Sequence, residues 1–262
     1  MSGQTTIDLT RDSHVHTRLC NHASGEMEEY VTAALNRGLQ TLVFLEHLEE
    51  DTVYFERNWL TEADFAYYFA EGKRLQEKYR HRLTIKLGVE VGFNPKAVNA
   101  LREKIARYPW EHVGLSYHYY ATGAGHLNMV SRRRKSLEKL IAVGVDKVIT
   151  EYFSGLIRGI SSLDCNTVCH LDAVMRHYPQ VRFSAVHMEQ IDRILELIKQ
   201  KKMSLEVNTS GYAFRNEPYP GRTILKKALA RNIPLLAGSD AHHPEQVGRY
   251  FDRLPALLAS LQ

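Results

Sequence analysis

The stretch 84-TIKLGVEV-91 decides the fold. It is a strongly apolar run that ends on a carboxylate, Glu90, and an unpaired carboxylate there would be costly to bury. The same pattern recurs along the chain. His47 ends 41-TLVFLEH-47, His118 ends 112-HVGLSYH-118, and His170 stands in 166-NTVCHLD-172. Asp240 and His242 close 234-PLLAGSDAH-242. His14 and His16 lie in 12-DSHVH-16, with His22 just downstream in 19-LCNHASG-25.

Working outward from these runs, candidate strands fall near 7–16, 41–46, 83–91, 112–118, 166–170, 203–208 and 233–238. Amphipathic helical patterns fill 26–37, 61–79, 96–107, 131–153, 187–201, 221–231 and 244–260. Ser24 stands ahead of an acid-rich first turn, Thr61 and Asp64 have the capping-box spacing, and Pro95 and Pro244 suit first turns. Alternation of this kind implies a parallel sheet with helical crossovers. A doubly wound sheet would gather its functional residues mainly at one switch point. A barrel draws them from the C-terminal ends of many strands around one mouth. Here six or seven strand ends contribute, so the expectation is a distorted (β/α)7 barrel in a single domain, 1–262, without linker or repeat.

The chain has 262 residues, 44% hydrophobic and 24% charged, which suits a soluble globular protein. A net charge of +4 fits an anionic small substrate and is too weak to argue for nucleic acid. The basic run Arg132, Arg133, Arg134, Lys135 is expected to be the solvated start of a helix. Cys20, Cys165 and Cys169 form no CxxC motif, and a sparse, odd count fits free thiols in a reducing cytosol. No signal peptide is visible, and no run approaches the roughly 20 apolar residues of a membrane span. The expected location is cytoplasmic, with no membrane partner.

His14 and His16, two apart on a strand, share one face and can chelate one ion. Asp240 and His242 repeat that spacing, and Asp12 is in phase to orient a ligating imidazole. Imidazole with carboxylate is a ligand set for zinc, iron or manganese. So many such residues at matched strand ends point to a multinuclear metal centre and to a hydrolase.

The motifs resemble the polymerase and histidinol phosphatase (PHP) superfamily, most closely its monofunctional histidinol-phosphate phosphatase branch. The likeness runs from DSHVHTRLCNHASGEMEEYV through LEH, GVEV, SYH and CHLD to LEVNTSG, YPG and GSDAHHPEQVG. It implies a distorted (β/α)7 barrel and three divalent metal ions (Zn, Fe or Mn). His14, His16, Glu90 and Asp240 would hold the first ion. Glu90 would bridge to a second, completed by His118 and His170, and His22, His47 and His242 would hold the third. Such a centre supplies hydroxide near neutral pH for in-line attack on phosphorus and steadies the charge that develops. Asp240 would orient or deprotonate the nucleophile, and His242 is a candidate proton donor to the leaving group. The implied reaction is hydrolysis of L-histidinol phosphate to L-histidinol and inorganic phosphate in histidine biosynthesis.

A phosphate also calls for arginine forks. Arg176 and Arg215 come first, with Arg222 and Arg18 behind, while Asn208 and Ser210 could touch substrate or order a loop. Glu46, Glu49 and rim tyrosines are candidate acceptors for an imidazole and an ammonium. The sequence departs from the branch at Glu46, where Asp is usual before the histidine and a hydrogen bond to His47 could shift. It departs also at Gly92 and Phe93 and along 119-YYATGAGHLNM-129, which leaves another small phosphomonoester or a nucleotide as the alternative substrate. A non-enzymatic module of the kind found in DNA polymerases would show no turnover. A metal-dependent amidohydrolase would usually carry its bridge on a carboxylated lysine or a fourth-strand carboxylate, not on the third strand.

Overall fold

A computed structural model describes residues 7–131, 133–178 and 180–261. Among these residues nine strands form: β1 (Arg11–Val15), β2 (Thr41–Leu48), β3 (Thr84–Gly92), β4 (His112–Ser116), β5 (Tyr119–Thr122), β6 (Gly125–Asn128), β7 (Thr167–Val168), β8 (Ser204–Asn208) and β9 (Leu235–Gly238). The helices are α1 (Met27–Asn36), α2 (Glu62–Tyr79), α3 (Val98–Arg107), α4 (Arg134–Val143), α5 (Val145–Ser162), α6 (Ala185–Gln200), α7 (Arg222–Ala230) and α8 (Leu254–Ala259). Seven strands make one parallel sheet in the order β1-β2-β3-β4-β7-β8-β9. The sheet curls until its outer strands meet. A single parallel bridge, Val15 to Ala241, and the bond from His16 N–H to Ala241 C=O (2.9 Å) close the seam. The result is the nearly closed seven-stranded barrel that the apolar runs foretold.

The strands are buried on both faces, as parallel strands under helices must be. Val43, Leu45 and Cys169 meet as one small buried cluster, apart from the main one. Leu42, Phe44 and Leu48, of opposite parity on β2, belong to the larger apolar cluster that reaches from Val15 to Leu258. Thr61 caps α2 as expected: its hydroxyl accepts from Asp64 N–H (3.3 Å), and Asp64 accepts from Thr61 N–H (2.8 Å).

Several local expectations are corrected. The cap of α1 is Glu26, boxed with Glu29, while Ser24 bonds His243 instead. Pro95 lies in a turn ahead of α3, and Pro244 opens only a 3-10 turn. The pattern over 131–153 is two helices, because Gly144 sits at φ 103°, a conformation that ends α4. The pattern over 244–260 breaks into 3-10 turns and the short α8, with Gly248 (φ 64°) and Tyr250 (φ 59°) left-handed between them. The segment after His118 is a hairpin, β5 and β6. In the basic run, Arg134 and Lys135 start α4, whereas Arg132 lies outside the described residues.

Candidate metal centre

Each expected ligand comes from the C-terminal mouth of the barrel. His14 is near the end of β1 and His16 one residue beyond it; His47 and Glu90 are on β2 and β3. His118 follows β4 by two residues, His170 follows β7, and Asp240 follows β9. His170 (φ 55°) and Asp240 (φ 50°) are left-handed where the chain leaves its strand. That backbone is unusual for residues other than glycine, and it is a mark of functional sites.

Glu90 stands at the centre, fully buried. Its Oε2 faces His47 Nδ1 (2.8 Å), His14 Nε2 (3.6 Å) and His16 Nε2 (3.7 Å). Its Oε1 faces His170 Nε2 (2.8 Å) and His118 Nε2 (3.3 Å). Neither oxygen accepts a well-directed hydrogen bond, which is costly for a buried carboxylate. The Nε2 atoms of His14 and His16 are 2.9 Å apart, as are those of His22 and His242. Two nitrogens on one tetrahedral zinc would stand about 3.4 Å apart. The ligand atoms of His14, His16 and Asp240 lie within 4.8 Å of one another, as do those of His22, His47 and His242 and of His16, His47 and Glu90. The donor set therefore fits divalent ions, with Glu90 reaching two groups of imidazoles through its two oxygens.

Burial would push Glu90 up, but His118, His47, His170 and His14 hold its carboxyl well below the usual range. Asp240 is buried too, and His16 and His242 hold it well below as well. Burial lowers His16, and lowers His47 to about 4 and His242 to about 3, so these imidazoles are neutral and ready to ligate. His14 and His118 behave oppositely. Burial opposes their charge, but Glu206 and Glu90 raise His14 well above its ordinary value, and Glu90 and Glu49 raise His118 to about 10. A metal must displace a proton from each. Affinity is therefore expected to rise with pH up to about 10, where His118 sheds its proton unaided, with proton release on binding below that. Zinc titration calorimetry in buffers of different ionisation enthalpy checks this, and a pH-independent affinity would contradict it.

The mouth opens into a cleft of about 360 Å³. Arg176 lines it, with Nη2 3.9 Å from Asp240 Oδ2, its guanidinium stacked 4.7 Å over Phe214 and its Nε without a partner. Arg249, which the sequence did not single out, also lines the cleft and donates to the carbonyls of Ser239 and Asp240. Part of the lining comes from the β5–β6 hairpin, stitched to the loop after β2. His126 N–H donates to Val53 C=O (2.9 Å) and Val53 N–H to His126 Nδ1 (3.0 Å). Tyr54, Glu56, Asn58, Tyr119 and Asn128 make up that part, and Glu49 lines the cleft as expected.

Other expected residues have different neighbours. Arg215 donates to both oxygens of buried Asp172 (2.8 and 2.9 Å) and stacks 4.3 Å over Tyr219. It thus braces the 209–221 segment. Arg215→Ala strands a buried charge and is expected to cost about 3 kcal/mol of stability; urea unfolding would show it, and a loss under 1 kcal/mol would refute the brace. Asn208 donates to Glu206 (3.1 Å) and accepts from Ser210, so it orders its own turn; Ser210 lines the cleft and donates to Asp240 (3.3 Å). Arg18 pairs with Glu26, and Arg222 Nη2 bonds Ser260. Both ring nitrogens of His242 are engaged, one beside His22 and one 3.0 Å from the Asp240 carbonyl, which favours a ligand's role over a proton donor's.

Glu46 and Asp12 are corrected. Glu46 has opposite parity to His47 on β2 and accepts from the N–H and hydroxyl of Thr17 (2.8 and 2.5 Å), so it holds no imidazole and does not line this cleft. The register of β1 shifts between Asp12 and Val15. Asp12 therefore accepts from the backbone N–H groups of Ser239 (2.9 Å) and Gly248 (2.7 Å) in place of a ring. The imidazole-orienting carboxylate is instead Glu206, whose Oε1 is 2.7 Å from His14 Nδ1, with Glu49 doing the same for His118 at 3.0 Å. Glu206 was legible only as a charged residue inside the apolar run 204-SLEVN-208.

The PHP domain family matches residues 12–210, and the PHP-associated family matches 222–256. The chain belongs to the PHP family. A Deinococcus radiodurans protein named "Probable histidinol-phosphatase" is 30% identical over 244 residues, covering 92% of this chain and 89% of that one. Among known structures, a HisK protein of Listeria monocytogenes superposes with a TM-score of 0.85 at 22% identity, covering 93% of this chain and 99% of its own. The histidinol phosphate phosphatase of Lactococcus lactis, complexed with zinc, L-histidinol and phosphate, gives 0.77 at 20% identity over 96% of this chain and 93% of its own. These two likenesses support the PHP barrel fold.

Proposed function

We propose that this PHP protein is a metal-dependent phosphomonoesterase that hydrolyses L-histidinol phosphate to L-histidinol and inorganic phosphate in cytoplasmic histidine biosynthesis. The observation that carries the reading is Glu90, a buried carboxylate whose two oxygens each face a separate set of imidazoles, some of which line an arginine-bearing cleft. The names of the relatives support the substrate. We assign His14, His16, Glu90 and Asp240 to a first divalent ion, Glu90, His118 and His170 to a second, and His22, His47 and His242 to a third, with zinc, iron or manganese as candidates. Ions held there would supply Lewis acidity toward phosphate and acidify water.

The chain's own groups do the rest. Arg176 offers a guanidinium to the phosphate oxygens, and its stacking on Phe214 restricts where that group can point. Asp240 stays ionised and orients the attacking water, while Ser210 fixes one of its oxygens. Glu56 and Tyr54, which line the cleft, offer oxygens to the imidazole and ammonium of the substrate. The test is phosphate release from L-histidinol phosphate by zinc- or manganese-loaded protein, beside a chelated control and p-nitrophenyl phosphate. Chelator-sensitive turnover far above that on p-nitrophenyl phosphate is expected. Equal or absent turnover on histidinol phosphate would overturn the substrate and point to another phosphomonoester.

A further inference from the structure

Two carboxylates reach metal-site histidines by the same unusual route. Glu49, just past β2, extends over Gly92 of β3 to His118, just past β4. Glu206 on β8 extends over Gly238 of β9 to His14 on β1, across the barrel seam. Each carboxylate thus spans from one strand to the next but one. Side chains on one face of neighbouring strands ordinarily meet their immediate neighbour, with the next strand blocked by that neighbour's own side chain. Here the intervening residue is glycine both times. A β-carbon built on Gly92 would collide with Oε1, Cδ and Oε2 of Glu49. One built on Gly238 would collide with Glu206 Oε1, and would stand 3.0 Å from Glu206 Cδ and from His14 Cβ. Neither glycine has a left-handed backbone, so conformational freedom does not explain them. The missing side chain does.

We propose that Gly92 and Gly238 are positioning residues of the metal centre. Each leaves open the path along which a buried carboxylate is held against the outer nitrogen of a ligating histidine. The carboxylate fixes the ring's tautomer and aims its Nε2 at Glu90. Glu206 is itself held by Asn208, whose amide donates to Oε2 (3.1 Å), so that bridge is braced at both oxygens. The two bridges serve different parts of the cluster: His14 stands on the Oε2 side of Glu90 and His118 on the Oε1 side. An alanine at Gly92 therefore acts on metal affinity at a distance, through Glu49, whereas one at Gly238 acts through Glu206 and also crowds the β-carbon of His14, which makes Glu206→Gln the cleaner probe of that bridge. The proposal rests on the reading of the cluster as a metal centre.

The experiment is stepwise zinc release to a graded chelator, with thermal unfolding measured alongside. Gly238→Ala and Glu206→Gln are expected to weaken one zinc by about 10- to 100-fold, and Gly92→Ala and Glu49→Gln a different one by a similar factor. Gly72→Ala is the matched control: its new β-carbon would crowd the Leu87 side chain in the apolar core, away from both carboxylates. It is expected to lower the unfolding temperature and leave zinc release unchanged. Alanine at Gly92 and Gly238 that only lowers the unfolding temperature, as at Gly72, would overturn the proposal while leaving the metal centre intact. Weakening of all zinc sites alike would overturn the division between the two bridges. Wild-type protein that takes up no zinc would overturn the metal-centre reading, and this inference with it.

Discussion

Glu90→Gln is expected to lower kcat by about 10³- to 10⁴-fold, an increase of about 4–5.5 kcal/mol in the barrier. The substitution keeps the shape of the side chain and removes one negative charge from a site ringed by five imidazoles. Gln offers one oxygen where the carboxylate offers two, so it cannot serve both the His14, His16 and His47 side and the His118 and His170 side. Metal content should fall together with rate. Elemental analysis beside single-turnover kinetics checks both, and full metal content with wild-type turnover would sink the bridging role.

Asp240→Asn is expected to lower kcat by about 10³-fold with the fold retained. His16 and His242 hold Asp240 ionised far below neutral pH. It can therefore accept a hydrogen bond from the attacking water at any working pH. An amide presents an N–H in place of one oxygen and weakens the contact with His16 at 3.4 Å. Because the depressed ionisation lies well below the working range, the wild-type rate should show no acid limb from this group near neutrality. A variant within tenfold of wild type would remove Asp240 from the chemistry.

The barrel was legible because both faces of a parallel strand are buried. Each strand then reads as a continuous apolar run, and polar residues at the run ends stand out, as at Glu90 and His47. The hairpin β5–β6 was not legible, since YYATGAGHLN mixes polar and small residues and its strands are only four residues long. The candidate ligands were legible from residue type and place. What orients them was less so, because that depends on parity. Glu46 and His47 are adjacent and so face opposite ways, whereas Glu206 and Asn208 share a face and meet. Asp12 followed the alternation on paper, and the register shift in β1 turned it to the backbone of Ser239 instead. Arg249 gave no sequence signal, since its part comes from the chain folding back over the mouth after β9.

The seam between β1 and β9 has a practical consequence. One bridge closes it, where β2 and β3 share eight paired positions. Yet its two sides carry His14 and His16 on one and Asp240 on the other, and these three converge on the same point. An ion there would act as a rivet across the seam between the first and last strands. Stripping it should let the first and last strands part and bare two backbone edges able to pair with other molecules. Protein handled in chelating buffer is therefore expected to cloud on standing, while metal-replete stock stays clear. Shelf life would then report on occupancy before any assay is run.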